Sequence, residues 1–189
     1  MKDSRLILAS ASPRRSDLLR EAGVSFRIEP AQVEEHEDPV GDPVFIVRHN
    51  AELKASEVAG RFPGQSVLGS DTVVALGDRV LGKPKDEDEA FAMLRSLAGQ
   101  EHQVHTGVCL IGAEGQREVF SVSTRVKFRE LSDEDIRAYI RDVPVMDKAG
   151  SYALQDQGSR IVESVSGSRS NVIGLPLEEV LEALRRLEV

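Results

Sequence analysis

The chain has little that is aromatic and almost nothing that is sulfhydryl. Across 189 residues it carries no Trp, two Tyr, six Phe and one Cys. A single cysteine, Cys109, excludes an internal disulfide and fits a reducing, cytosolic setting. No apolar run approaches the ~20 residues of a membrane span, and the start MKDSRLILAS is too short in apolar residues for a signal peptide. Basic excess is also missing: the net charge is −8. Together with 4% aromatics, that charge argues against a nucleic-acid-binding face. A small anionic ligand is still allowed, because a compact basic cleft focuses the field locally even on an acidic protein. The phosphate-loop pattern GxxxxGK[ST], the dinucleotide pattern GxGxxG and the nucleophile elbow GxSxG are all absent, and the four histidines show no zinc-ligand spacing. There is no internal repeat and no low-complexity tract.

What is present is an alternation of strand and helix signals, which predicts one mixed α/β domain over residues 1–189. RLILA (5–9) reads as a short strand. Ser12, Pro13 and Gly23 then mark the cap, first turn and stop of a helix. SFRIEP (25–30) reads as a second strand and the acidic, proline-bearing 31–42 as a loop. A helical period runs from Pro43 to about Gly60. SVLGS (66–70), VVAL (73–76) and RVL (79–81) are β-like, with a Gly77-Asp78 turn. Glu87–Ala98 reads as a helix, and 102–111 and 118–128 as a hairpin. Ser132 caps a helix, 143–176 reads as loop with a strand near 160–165, and the chain ends in a helix from Leu177.

Four features carry possible chemistry. Arg14 and Arg15 open the first helix, where the dipole favours acids. Either they are solvated, or they join the Ser10 and Ser12 hydroxyls and the helix N–H groups around an anion. Lys54 falls on the same helical face as Val47, Ala51 and Val58. Its stem either snorkels outward or its charge is used. Asp71 interrupts an apolar β-like run, either as a turn residue or as a buried carboxylate that requires a partner. Finally, a two-residue Gly77-Asp78 turn sets Leu76 against Arg79 and Val74 against Leu81, and by extension Thr72 against Lys83. That extension puts Asp71 beside Lys83, as a surface ion pair or as one wall of a site. Arginines, lysines and carboxylates without a nucleophile–histidine pair point to metal-assisted phosphate chemistry. Within the acidic stretch Glu34, Glu35, Glu37 and Asp38, a metal ligand and a solvated face are both open readings.

With those residues in view, the chain resembles the Maf family of nucleoside triphosphate pyrophosphatases. The resemblance rests on SASPRR (10–15), VEE (33–35), AELKA (51–55), GSDTVV (69–74), GKP (82–84), HQVHTGV (102–108), DKAGSYALQ (147–155) and NVIGLP (171–176). It implies an α/β fold with a long, curved mixed sheet flanked by helices and two lobes around a deep cleft, similar to inosine triphosphate pyrophosphatases. It further implies homodimers and cleavage between the α and β phosphates with Mg²⁺, Mn²⁺ or Co²⁺. The implied site has Asp71, Lys54 and Lys83 as catalytic residues and Ser10, Arg14, Arg15, Thr72 and Gln155 at the substrate. Asp71 and Glu35 are the implied metal ligands. Arg14, Thr72 and Gln155 resemble the dTTP/UTP branch rather than the 7-methyl-GTP branch, with Asp156 standing where the family has glycine. A non-catalytic nucleotide-binding regulator of septum formation is the other reading that the resemblance allows.

Overall fold

The computed structural model describes residues 6–188. One seven-stranded sheet runs through all of them. Strand β1 (Leu6–Leu8) leads through helix α1 (Pro13–Glu21) to β2 (Phe26–Ile28), and then α2 (Pro43–Arg61) to β3 (Ser66–Leu76) and β4 (Arg79–Leu81). Helix α3 (Glu87–Leu97), the hairpin β5 (Glu101–Ile111) and β6 (Arg117–Phe128), and α4 (Asp133–Asp142) follow. The chain closes through β7 (Val162–Ser166), α5 (Arg169–Ile173) and α6 (Leu177–Arg186). The strand order is β2-β1-β3-β5-β6-β7, with β4 also on β3. β1 is parallel to both neighbours and the other pairings are antiparallel. The mixed α/β expectation holds. The strand expected over 5–9 is seen from Leu6, since Arg5 lies outside the described residues.

Alternation of side chains explains how the sheet is covered. Leu6, Leu8, Leu68, Val108 and Leu110 pack on one face with Leu18 and Leu19 of α1 and Val180, Ala183 and Leu184 of α6. Their neighbours Ile7, Ala9, Val67, Cys109 and Ile111 pack on the other, with Ala51, Ala55 and Val58 of α2. Helix α2 comes unusually close to the sheet. A Cβ on Gly69 would overlap the Ala51 carbonyl, and one on Gly107 would overlap the Val47 carbonyl. These two strand glycines are openings for a helix backbone.

The Gly77-Asp78 turn gives the expected register, with Leu76 opposite Arg79 and Val74 opposite Leu81. Two expectations are corrected. β4 ends at Leu81, so no ladder pairs Thr72 with Lys83. Instead Gly82 accepts from Gly150 N (3.0 Å), and Thr72 pairs with Thr106 of β5. The gap read at Asp71–Thr72, between the β-like runs 66–70 and 73–76, is not there: β3 is a continuous strand of 11 residues, so of the two readings of Asp71 the turn residue is the one that fails. The segment read as loop also contains α5, capped by the Ser168 side chain and ended by Gly174 at φ 131°. Five residues are too few to show a helical period.

A further core cluster sits under α3 and α4, and three interlocked rings meet at it. His102, Phe128 and Tyr152 meet edge to face, with centroids 4.8 to 5.5 Å apart. His102 Nε2 lies 2.9 Å from the Tyr152 hydroxyl. Burial lowers the His102 pKa to about 4 from 6.5. Between those values the unfolded chain holds a proton on this ring that the folded chain does not, so stability rises with pH across the window.

Two predictions follow from this packing. Gly107→Ala should cost about 3 kcal/mol by overpacking and lower Tm by roughly 10 °C, read by thermal unfolding. Lowering pH from 6.5 towards 4 should remove about 3 kcal/mol through His102. In denaturant titrations His102→Phe should show a shallower loss over that range.

Candidate active site

A cleft of about 300 Å³ opens between the start of α1, α2, β3 and the segments 147–149 and 172–174. Five cationic side chains line it, Arg14, Arg15, Lys54, Lys83 and Lys148, against three carboxylates, Glu35, Asp71 and Asp147. Ser10 and Thr72 are also in its lining. The net excess of positive charge in a concave wall suits a polyanion.

At its centre, α2 reaches across to β3. The buried Lys54 Nζ stands 2.8 Å from Asp71 Oδ1 and 2.9 Å from Glu35 Oε2. Asp71 Oδ2 accepts from Asn50 Nδ2 at 3.0 Å. Asn50 and Lys54 are one turn apart on α2, so they present together. Asn50 also fixes the loop that carries Glu35: its Oδ1 accepts from His36 N (2.8 Å) and its Nδ2 donates to His36 O (3.0 Å). Burial alone would raise the Asp71 pKa. The Lys54 charge, hydrogen bonds from Lys54 and Asn50, and the Arg15 charge outweigh it and hold the carboxyl below its ordinary value. Asp71 is therefore an ionised strand residue, not a turn residue. Asn50 was not singled out in the sequence. Its signal was its place one helical turn before Lys54.

The two arginines that open α1, Arg14 and Arg15, are occupied. Arg15 is buried and donates from Nε to Gly174 O (2.8 Å), and through its two terminal nitrogens to Ser10 Oγ (3.1 Å) and Thr72 Oγ1 (3.0 Å). Burial lowers its pKa, while the Asp71 and Glu35 charges oppose that. Thr72 Oγ1 continues to Thr106 Oγ1 at 3.0 Å. Arg14 bridges the cleft to Asp147, at 2.7 Å to Oδ2 and 3.2 Å to the carbonyl. Lys148 Nζ holds Asp147 Oδ1 at 2.8 Å. Ser12 occupies the N-cap position of α1 without a side-chain cap bond, its N–H donating to Ser10 Oγ at 3.2 Å. Lys83 is exposed on the rim and, among the described residues, has no ion-pair partner.

The structure thus brings together eight of the nine residues expected at the site: Ser10, Arg14, Arg15, Glu35, Lys54, Asp71, Thr72 and Lys83. Gln155 stands apart. It is exposed and lines a separate depression with Arg129 and Arg169. The cause is the Tyr139 hydroxyl, which accepts from Ala153 N (3.1 Å) and lies 3.2 and 3.3 Å from the Ala153 and Asp156 carbonyl oxygens. Those contacts clamp the chain on both sides of Gln155.

Among the described residues, no three His, Cys, Asp or Glu side chains converge as a closed metal cage would require. The pair Glu35 and Asp71 fits a looser demand. Mg²⁺ and Mn²⁺ prefer oxygen donors, and Mg²⁺ sites commonly use one or two carboxylates, completing their shells with water and substrate phosphate.

The family model described as Maf-like protein matches residues 5–187. A dTTP/UTP pyrophosphatase of Geobacter sp. (strain M21) is 45% identical over 186 residues, covering 98% of this chain and 96% of that one. A second, from Akkermansia muciniphila, is 46% identical over 182 residues and covers 96% of each. In fold, the chain is similar to the Staphylococcus aureus Ham1 protein, with TM-score 0.52 at 16% identity over 97% of this chain and 99% of that one. A HAM1 protein from Coxiella burnetii gives TM-score 0.53 at 14% identity over 96% and 98%. With a family model spanning nearly the whole sequence and relatives matching it end to end, this chain belongs to the Maf family.

Proposed function

We propose that this protein hydrolyses dTTP and UTP between the α and β phosphates, giving the nucleoside monophosphate and pyrophosphate. The observation that carries the reading is an ionised, buried Asp71, braced by Lys54 and Asn50, in a cleft with an excess of cations. The relatives named dTTP/UTP pyrophosphatase support the substrate and the bond.

In this reading water attacks phosphorus in line, the anhydride P–O bond breaks, and pyrophosphate leaves. The chain supplies positioning and charge, which dominate such displacements. Asp71 accepts a hydrogen bond from the attacking water through a free lone pair and orients it. Its lowered proton affinity favours that role over taking the proton. Glu35 and Asp71 would hold a divalent cation, Mg²⁺, Mn²⁺ or Co²⁺, which supplies charge neutralisation and a more acidic bound water. Lys54 keeps the two carboxylates together despite their like charge. Lys83, unpaired at the rim, meets the incoming triphosphate. Arg15 aligns the Ser10 and Thr72 hydroxyls at the start of α1 and adds its charge to the wall. A cytosolic location and a homodimer belong to the same proposal. The lone, buried Cys109 fits the first, and the family resemblance supports the second.

Incubation with dTTP, UTP, 7-methyl-GTP and ATP in Mn²⁺, with products resolved by phosphorus NMR, tests the reaction. Monophosphate and pyrophosphate from dTTP and UTP are expected. Diphosphate with orthophosphate, or nucleotide binding without product, would overturn it. Asp71→Asn should lower turnover by about 1,000-fold in a protein whose circular dichroism is unchanged. Lys83→Ala should raise KM for dTTP about 10-fold with little change in Tm, because its charge is exposed and unpaired.

A further inference from the structure

The two carboxylates at the centre of the cleft come from unlike supports. Asp71 projects from the middle of β3, where the ladder with β5 holds its backbone. Glu35 projects from the segment between β2 and α2, which has neither helix nor strand. Among the described residues, every hydrogen bond and ion pair that ties residues 33–37 to the rest of the chain comes from α2, from Asn50 and Lys54. Resting on the reading above, in which Glu35 and Asp71 hold a divalent cation, we infer that Asn50 is a positioning residue that sets how tightly that cation binds.

The Asn50 amide pairs with residue 36 as a strand would. Oδ1 accepts from His36 N at 2.8 Å and Nδ2 donates to His36 O at 3.0 Å. This is the two-bond exchange by which a residue in an antiparallel ladder holds its partner. The backbone next to Glu35 is thereby pinned to α2. The same Nδ2 donates to Asp71 Oδ2 at 3.0 Å. One amide therefore holds the backbone beside one carboxylate and the other carboxylate itself.

The orientation of that amide is determined by its partners. Its nitrogen, the only donor it has, faces two oxygens, and turning it over would set Oδ1 against a carbonyl and a carboxylate. Asn50 is 2% exposed, so water does not compete for these bonds. The next residue, Ala51, is where the α2 backbone meets Gly69 of β3, so the amide stands where helix and sheet are pressed together.

Lys54 also reaches both carboxylates, but its ammonium is itself a cation on the same oxygens. Asn50 holds the pair without a charge and so adds nothing that repels a metal ion. Groups of this kind, behind a metal's ligands, commonly change its affinity by roughly 10- to 100-fold.

Mn²⁺ binding to the nucleotide-free protein, read by electron paramagnetic resonance of the free ion, tests the role. Asn50→Leu keeps the branched shape and removes all three bonds. It should weaken Mn²⁺ about 10-fold in a protein whose circular dichroism is unchanged. Lys83, which meets the triphosphate, is not touched, so the KM for dTTP at saturating Mn²⁺ should stay within about twofold of wild type. Asn50→Ser, whose short hydroxyl cannot bridge residue 36 and Asp71, should reproduce the loss and serves if Asn50→Leu fails to fold. Unchanged Mn²⁺ affinity in these variants would overturn the proposal. So would a dTTP KM that rises in step with the loss of Mn²⁺ affinity, the mark of a generally disordered cleft. Wild-type protein that binds no Mn²⁺ would instead overturn Glu35 and Asp71 as metal ligands.

Discussion

The site depends on how closely α2 lies on the sheet. Glycine at 69 and 107 lets the helix backbone settle where a methyl group would hold it off. At that separation the Lys54 ammonium reaches Asp71 and Glu35 together, and Asn50 reaches Asp71 and the backbone at residue 36. An isolated carboxylate buried in β3 would be costly. With a cation and an amide delivered to its two oxygens it is stable and ionised. Packing and electrostatics are the same event here: the approach that buries Ala51 and Ala55 against Val67 and Cys109 also charges the cleft.

The two arginines at the start of α1 oppose the helix dipole, and their partners explain why that is tolerated. Arg14 is neutralised by Asp147 from the far wall. Arg15 spends its donors on one carbonyl and two hydroxyls, within the field of Asp71 and Glu35. Arg15 is thus a junction first. It ties α1 to β3 and to the turn after α5, and its charge reaches the cleft from that fixed position.

Strong local signals made much of this legible in the sequence. The Gly77-Asp78 turn fixed the register of β3 with β4, and Ser132 with Asp135 forms the capping box that starts α4. Lys54 stood out because a charge on an apolar helical face needs a reason. What sequence did not show depended on partners distant in the chain. The unbroken β3 required knowing that Asp71 and Thr72 would find Lys54, Asn50, Thr106 and Arg15. Lys83 reaches the cleft by a loop that leaves the ladder, and local alternation could not foresee that exit. Gln155 was expected at the substrate from its motif, yet the Tyr139 hydroxyl turns its segment elsewhere.

The hydrogen bond from Arg15 to the Gly174 carbonyl spans 159 positions. Its consequence lies in the order of synthesis. Every charged residue of the cleft is already made well before Gly174 emerges, yet until then the Arg15 Nε has no carbonyl to meet and α6 is not there to cover β1. Contacts of such long separation form late, after their loop-closure cost is met. A growing chain therefore carries the charges of the cleft before it has the shape of it, and that shape waits for Gly174 and α6.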